Sequence, residues 1–363
     1  MQTKTSSSSI TILITGGCGF VGSNLSVLLK QQYPVYNIIA VDNLKRRGSE
    51  LNIPRLTEAG VQFIHGDIRN KEDLHFDTKI DFIIDAAAEP SVLAGMGSAL
   101  DYVINTNLDG TVNTLQLAAR HKAKFIFLST SRVYPIAYLD AIAFEPNDTR
   151  FVLSDAQPMQ GMSARGISET FPLDSARSVY GATKLASEML AIEFREFFGV
   201  DYVINRCGVI AGPYQMGKVD QGVVTLWMAR HYWKKEVNYI GYGGTGKQVR
   251  DILHIADLFR LIVYQLHHFE VVSGQTLNAG GGLTSSVSLK ELTILCQQIT
   301  GNTVAEIAVP ETRKGDVPVY ITDNTKITTL TGWKPEKNAT HILEDIFTWL
   351  QANEQQLAPI LNK

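Results

Sequence analysis

Three glycines spaced three residues apart constrain this chain more than any other feature. They stand in Thr15-Gly-Gly-Cys-Gly-Phe-Val-Gly22, after the short apolar run Ile10 to Thr15 and ahead of a helical pattern through Val21, Leu25, Leu28 and Leu29. The order is strand, turn, helix. Side chains are missing at Gly16, Gly19 and Gly22, where such a unit turns sharply, admits a close neighbour and packs its helix on its strand. The first N–H groups of the helix, from Phe20, Val21 and Gly22, then have no intrahelical partner and point at whatever lies in front of them, phosphates above all. The spacing is G-x-x-G-x-x-G, against G-x-G-x-x-G in the wider dinucleotide-binding motif, so alone it also fits a purely structural turn.

The pattern that follows is repetitive. Ile38–Val41, Val61–Ile64 and Phe82–Ile84 read as strands, Val103–Ala119 as a long helix, Phe125–Leu128 as a fifth strand, Val179–Phe198 as a helix and Tyr202–Asn205 as a sixth strand. Parallel strands need a crossover between them, so this alternation predicts a doubly wound α/β fold: a parallel Rossmann sheet covered on both faces. Beyond Arg206 the rhythm breaks at Gly208, Gly212, Pro213 and Gly217, and again at Gly241, Gly243, Gly244 and Gly246. A chain of 363 residues has room for two lobes. We therefore expect a dinucleotide domain over 1–205, which a returning segment around 236–264 can complete, and a smaller C-terminal substrate-binding lobe over 206–363. In that lobe Ser288 and Glu291 form a capping box, Gly301 ends the helix, and Thr340–Leu357 reads as a closing helix.

Other classes are disfavoured. A net charge of −3 with no arginine-rich run gives no footprint for nucleic acid. No apolar run has membrane-spanning length, and Met1–Ser9 lacks the apolar core of a secretory signal, so a cytoplasmic protein is expected. Cys18, Cys207 and Cys296 are odd in number and scattered, which fits neither a disulfide framework nor a metal site.

Asp42 turns the glycine signal into a cofactor prediction. It ends the second strand 20 residues after Gly22, where a carboxylate accepts hydrogen bonds from the adenosine ribose hydroxyls, with Asn43 beside it. The same carboxylate repels a 2′-phosphate, which favours NAD over NADP; Arg46 and Arg47 are the opposing sign and read here as a solvated basic turn. Asp67-Ile68 after the third strand can contact adenine, and Ala86, Ala87 and Ala88 after the fourth let the backbone pass close to the cofactor, although either loop can serve packing alone.

Tyr180 and Lys184 open the helix in Val179-Tyr-Gly-Ala-Thr-Lys184. Four residues apart, they share one helix face. A free phenol has a pKa of about 10 and is a poor base at neutral pH, but a nearby ammonium and an oxidised nicotinamide favour the phenolate. Tyr180 can then take a hydroxyl proton while the carbon beneath gives up hydride. Leu128-Ser-Thr-Ser-Arg-Val-Tyr-Pro135 ends the fifth strand, where open α/β sheets bind ligands. Thr130 is the first choice for a hydroxyl bridging substrate and Tyr180, with Ser129 and Ser131 behind it.

Together TGGCGFVG, Asp42, STSRVY and YGATK resemble the extended short-chain dehydrogenase/reductases, the nucleotide-sugar epimerase/dehydratase family, over nearly the whole chain. Asp42–Gly48, Gly66–Asn70, Asp220-Gln-Gly222 and Gly246–Asp251 most resemble the branch of CDP-paratose/CDP-tyvelose 2-epimerases. The resemblance implies a bound NAD, a nucleotide-sugar substrate, transient oxidation to a ketone at C2 and reduction from the other face. It also implies Thr130, Tyr180 and Lys184 as catalytic residues, Asn107 as a support of the active site, Ser129 beside the cofactor, and Ser131, Arg132, Gln221 and Arg250 toward the substrate. For Arg250 the bland reading is an ion pair with Asp251. Relatives often form dimers through the long helices, which singles out Val112 with Leu115 or Leu190 with Phe194 for a homodimer or higher homo-oligomer. Pro135 departs from the glycine of many relatives, and 138–178 is either a lid or an inserted loop. A sugar dehydratase would need Asp-Glu where Ser131-Arg132 stand, so elimination is disfavoured. A 4-epimerase or decarboxylase stays open, as does, in a different class, a non-catalytic dinucleotide sensor.

Overall fold

The computed structural model describes residues 9–94, 99–217 and 221–362. Asp220 and most of the serine-rich start lie outside them. Seven parallel strands form the main sheet: β1 (Thr11–Thr15), β2 (Asn37–Asp42), β3 (Gln62–His65), β4 (Phe82–Asp85), β5 (Lys124–Thr130), β6 (Tyr202–Cys207) and β7 (Gln275–Ala279). Their spatial order is β3-β2-β1-β4-β5-β6-β7. The order reverses between β1 and β4, which opens a crevice at the carboxyl ends of those strands.

Side-chain alternation along these strands feeds two hydrophobic layers. Ile12, Ile14, Ile38 and Ile84 pack against α1 (Phe20–Gln32) on one face. Leu13, Ile39, Ile83 and Phe127 pack on the other against α2 (Gly110–His121) and α3 (Val179–Phe198). Each such fully buried aliphatic side chain contributes about 1.5–3 kcal/mol, so the layers hold the loops at the strand ends. The helix expected over 103–119 contains a wide turn: Leu100–Ile104 runs into a π-helical Asn105–Asp109 before α2 begins.

The chain returns to the first layer late. Helix α4 (Ile255–His267) packs Leu258, Leu261 and Ile262 beside α1, and β7 then pairs with β6 in register from Val203↔Gln275 to Cys207↔Ala279. Nothing in the sequence reading marked β7.

The C-terminal lobe is built on strands Val209–Ala211, Val249–His254, Ser286–Ser288 and Val319–Tyr320. Trp227, Ile342 and Trp349 fill its core. The Ser288–Glu291 capping box forms, and Gly301 ends that helix in the left-handed region. The closing helix is two helices, Ala339–Ala352 and Glu354–Leu361, separated at Asn353.

Segment 138–178 is a brace. Its hairpin pairs Phe144–Pro146 with Phe151–Leu153, Phe151 N–H donates to Lys247 O (2.9 Å), and the Thr149 hydroxyl donates to Glu291 (2.8 Å). Leu139, Ile142 and Phe171 share a core with Val249, Val319 and Tyr320. The segment thus stiffens the strand that carries Arg250. Pro135, with extended backbone, caps the short helix Ile136–Asp140.

Candidate functional site

The glycine turn closes on itself. Gly16 has φ +63°, and a Cβ there would stand 2.9 Å from Ala87 Cα; a Cβ on Gly22 would stand 2.2 Å from Gly16 O. Gly19 precedes α1 without any side-chain cap, so the N–H groups of Phe20, Val21 and Gly22 face the crevice. Any methyl group in this cradle would displace backbone, which is what a pyrophosphate-binding turn requires.

Asp42 is fixed beside it. Cys18 N–H donates to its Oδ2 (3.0 Å) and Leu44 N–H to its Oδ1 (2.7 Å). Burial pushes this carboxyl above the usual range, while the two N–H donors pull it back. Each oxygen keeps a further lone pair for a ribose hydroxyl. Asn43 donates to Asp67 Oδ2 (2.9 Å) and Arg69 clasps the same carboxylate; against the upward push of burial, these bonds bring Asp67 down to about 2. Ile68 packs where a Cβ on Gly110 would fall, and Asn113 donates to its carbonyl (2.9 Å). Arg46 and Arg47 reach away from Asp42 and bind the C-terminal lobe. Arg46 donates to Gln221 Oε1 and to Met216 O (2.6 Å), and Arg47 to Pro359 O (3.4 Å).

The loop after β4 is held from both sides. Ala86 and Ala87 donate their N–H groups to Thr15 Oγ1 (3.2 Å each), and Ala88 is half-buried next in line. The Thr15 hydroxyl donates to Asp85 (2.6 Å), a fully buried carboxylate that also accepts from Thr114. Asn107 sits in the π turn, accepts from Glu89 N–H (2.8 Å) and donates to Glu89 O (3.0 Å). Its backbone carbonyl accepts from Ser187 on α3 (3.0 Å). The wide turn therefore ties the loop to the helix of Tyr180.

Thr130 and Tyr180 are brought together. The Thr130 hydroxyl lies near enough to the Tyr180 phenol to draw its pKa down, and Thr130 Oγ1 accepts from Arg132 N–H (3.2 Å). Gly181 makes the approach possible, because a Cβ there would fall 2.0 Å from Arg132 O. Burial raises the Tyr180 phenol to about 12, against which the neighbouring Thr130 and Arg132 act. Lys184, one turn on, is buried, and desolvation lowers it to about 8 despite Asp85 and Glu188. Its ammonium lies 4.0 Å from the Phe127 ring centroid. Ser129 points elsewhere and donates to Glu188 (2.5 Å).

A cavity of about 310 Å³ adjoins these groups through Arg132. Arg132, Arg250, Arg313 and Lys314 give its lining a cationic character. Arg132 donates to Gly315 O (3.0 Å), and burial and Arg250 lower its pKa. Arg250 is paired with Asp316 (2.6 Å), not with Asp251, which accepts from Gly282 N–H instead. Gln221 lines the cavity with its Nε2 unpartnered among the described residues, and Ser131 is half-buried in the turn behind Arg132. Asp85, Glu89, Glu188, Arg206 and Gly181 were not singled out from the sequence. Only Gly181, inside the Tyr-Lys motif, carried a legible signal.

Residues 12–280 match the model of the NAD dependent epimerase/dehydratase family. The chain is 30% identical to the CDP-paratose 2-epimerase of Salmonella typhi, over 93% of this chain and 98% of that one. It is 28% identical to a UDP-glucose 4-epimerase of Halalkalibacterium halodurans, over 93% and 95%. Among solved structures, the UDP-glucose 4-epimerase of Thermotoga maritima with UDP-glucose superposes with a TM-score of 0.76 at 25% identity, covering 95% of this chain and 100% of that one. The UDP-glucuronic acid 4-epimerase of Bacillus cereus, in complex with UDP-glucuronic acid and NAD, gives 0.77 at 24%, covering 94% and 99%.

Proposed function

This chain belongs to the NAD-dependent epimerase/dehydratase family, and we propose that it inverts C2 of a CDP-activated sugar of the paratose/tyvelose type. The observation that carries an epimerase reading is the Thr130–Tyr180 hydroxyl pair, with Lys184 one turn away and Thr130 close in the chain to Arg132, which lines a cavity with cationic side chains. NAD is the cofactor, and when bound it accepts a hydride and returns it. Gly16, Gly19 and Gly22 with the first N–H groups of α1 hold its pyrophosphate, and Asp42 its adenosine ribose. Asn43, Asp67, Ile68 and Ala86–Ala88 flank it, and Asn107 with Ser129 keeps the wall beside it in place.

Tyr180 removes the proton from the sugar hydroxyl, Thr130 orients that hydroxyl, and the Lys184 ammonium stabilises the phenolate. Arg132 and Arg250 bind the diphosphate as forked donors, which requires Arg250 to exchange Asp316 for phosphate oxygens. Gln221 directs its free Nε2 toward the substrate, and Ser131 shapes the turn. Ser131 and Arg132 supply no carboxylate after Thr130, which argues against elimination of water. The identity to the CDP-paratose 2-epimerase supports C2 and cytidine. Exposed Met189 and Ile192 on α3 support a homodimer through that helix.

A panel of CDP-, UDP-, GDP- and dTDP-sugars in deuterated and ordinary water tests the reading. Inversion at C2 without solvent deuterium supports it. Inversion at C4 would move the assignment to a 4-epimerase, and deuterium uptake beside the carbonyl would rule out direct oxidation at the inverted carbon. Sugar-dependent reduction that is identical in the wild type and Tyr180→Phe would indicate a sensor.

A further inference from the structure

The cavity that Arg132 lines also holds a side chain with an open hydrogen-bonding demand. Gln248 is 7% exposed and lines the cavity. Its Nε2 donates to Ile240 O (2.8 Å), which fixes the orientation of the amide, and its Oε1 is buried with no partner among the described residues. A buried acceptor left unpaired is costly, and such groups await a ligand donor or a water. Gln248 stands immediately before the strand Val249–His254, which carries Arg250 and Ile252, and all three side chains line the cavity, so Gln248 lies two residues along the chain from Arg250. Trp227, Val237 and Leu292 give the intervening walls an apolar character that suits a flat ring, and Glu236 adds a carboxylate at the rim.

We infer that Gln248, with Glu236, reads an exocyclic amine on the nucleobase and so sets nucleotide specificity. The inference rests on the nucleotide-sugar reading above, which puts the sugar at Tyr180 and the diphosphate at Arg132 and Arg250, leaving the nucleoside for the rest of the cavity. Two acceptors match the N4 amine of cytosine. Uracil presents a carbonyl oxygen at that position, which faces Gln248 Oε1 as acceptor against acceptor.

Calorimetric titration of the NAD-loaded enzyme with CDP, 2′-deoxy-CDP and UDP tests this. The wild type is expected to bind both cytosine nucleotides about tenfold tighter than UDP. Gln248→Leu erases that preference by weakening the cytosine nucleotides alone, and Glu236→Ala, on the exposed rim where folding is not at risk, narrows it. Equal binding of CDP and UDP by the wild type overturns the inference while leaving the hydride chemistry standing. Equal losses for both bases in Gln248→Leu, or 2′-deoxy-CDP binding as weakly as UDP, overturn it too, the latter by pointing to the ribose. Failure of all three to bind overturns the CDP-sugar reading on which the inference rests.

Discussion

Glu188 and Arg206 form a buried, forked ion pair, with Arg206 Nη2 2.7 Å from Glu188 Oε2 and Nε 3.1 Å from both oxygens. Ser129 donates to the same carboxylate, and Arg206 donates on to Tyr134, whose hydroxyl donates to Asn278 (2.7 Å). The network joins α3, β5, β6 and β7 under one site. Glu188→Gln leaves a buried guanidinium without its counter-charge and is expected to cost about 3–5 kcal/mol, whereas Ser129→Ala costs about 1. Denaturant unfolding of the NAD-loaded protein measures both, and equal effects would refute the ranking.

Removing the phenol tests the chemistry without disturbing the fold. Tyr180→Phe is expected to lower kcat by about 10²–10⁴-fold with KM changed only a few-fold and bound nicotinamide retained. Thr130→Val loses less, because it orients the proton donor without taking the proton. Steady-state kinetics with absorbance of the purified protein separate these outcomes.

Lys184 stores a stability cost. Folded, it gives up its proton near pH 8, against 10.5 for an ordinary lysine. Between these values the unfolded chain binds more protons, so stability rises with pH across that window, and the whole cost is present below about pH 8. Lys184→Met should therefore raise Tm at pH 7, by up to about 3 kcal/mol in stability, and that gain should fade toward pH 10. Activity falls in the same variant. Thermal scans at pH 7 and pH 10 check the sign.

Gly22→Ala places a methyl 2.2 Å from Gly16 O, so the turn must open and the phosphates lose their seat. The variant is expected to purify without nicotinamide. Gly199→Ala, where a Cβ meets nothing within 4 Å, is the control: its φ of +68° costs only about 1 kcal/mol and leaves cofactor content intact.

Charge on the exposed face of α3 tests assembly. Met189→Lys with Ile192→Lys should shift the protein to monomer in sedimentation, with little change in cofactor content.

Much of the sheet was legible because parallel buried strands are short apolar runs and their helices carry a 3.6-residue period. β1 to β6 announce themselves this way. β7 does not: Gln275-Thr-Leu-Asn-Ala is polar at alternate positions, and its membership depends on pairing with β6 across a long excursion. The glycine turn, Asp42 and the Tyr180–Lys184 pair were readable because their spacing along the chain reflects their geometry. Asp85, Glu188, Arg206 and Gln248 were not, since their meaning comes from partners distant in sequence. The π turn at Asn107 has no period of its own and read as ordinary helix.

That late arrival of β7 bears on biosynthesis. When a ribosome has delivered the chain only as far as Cys207, β6 still presents a bare row of amides and carbonyls, a template for any stray segment nearby. The protective strand emerges only after most of the C-terminal lobe's cavity walls have been made. Truncation before Gln275 would strand that edge permanently, so the nucleotide half cannot be cut out and transplanted as a self-sufficient module.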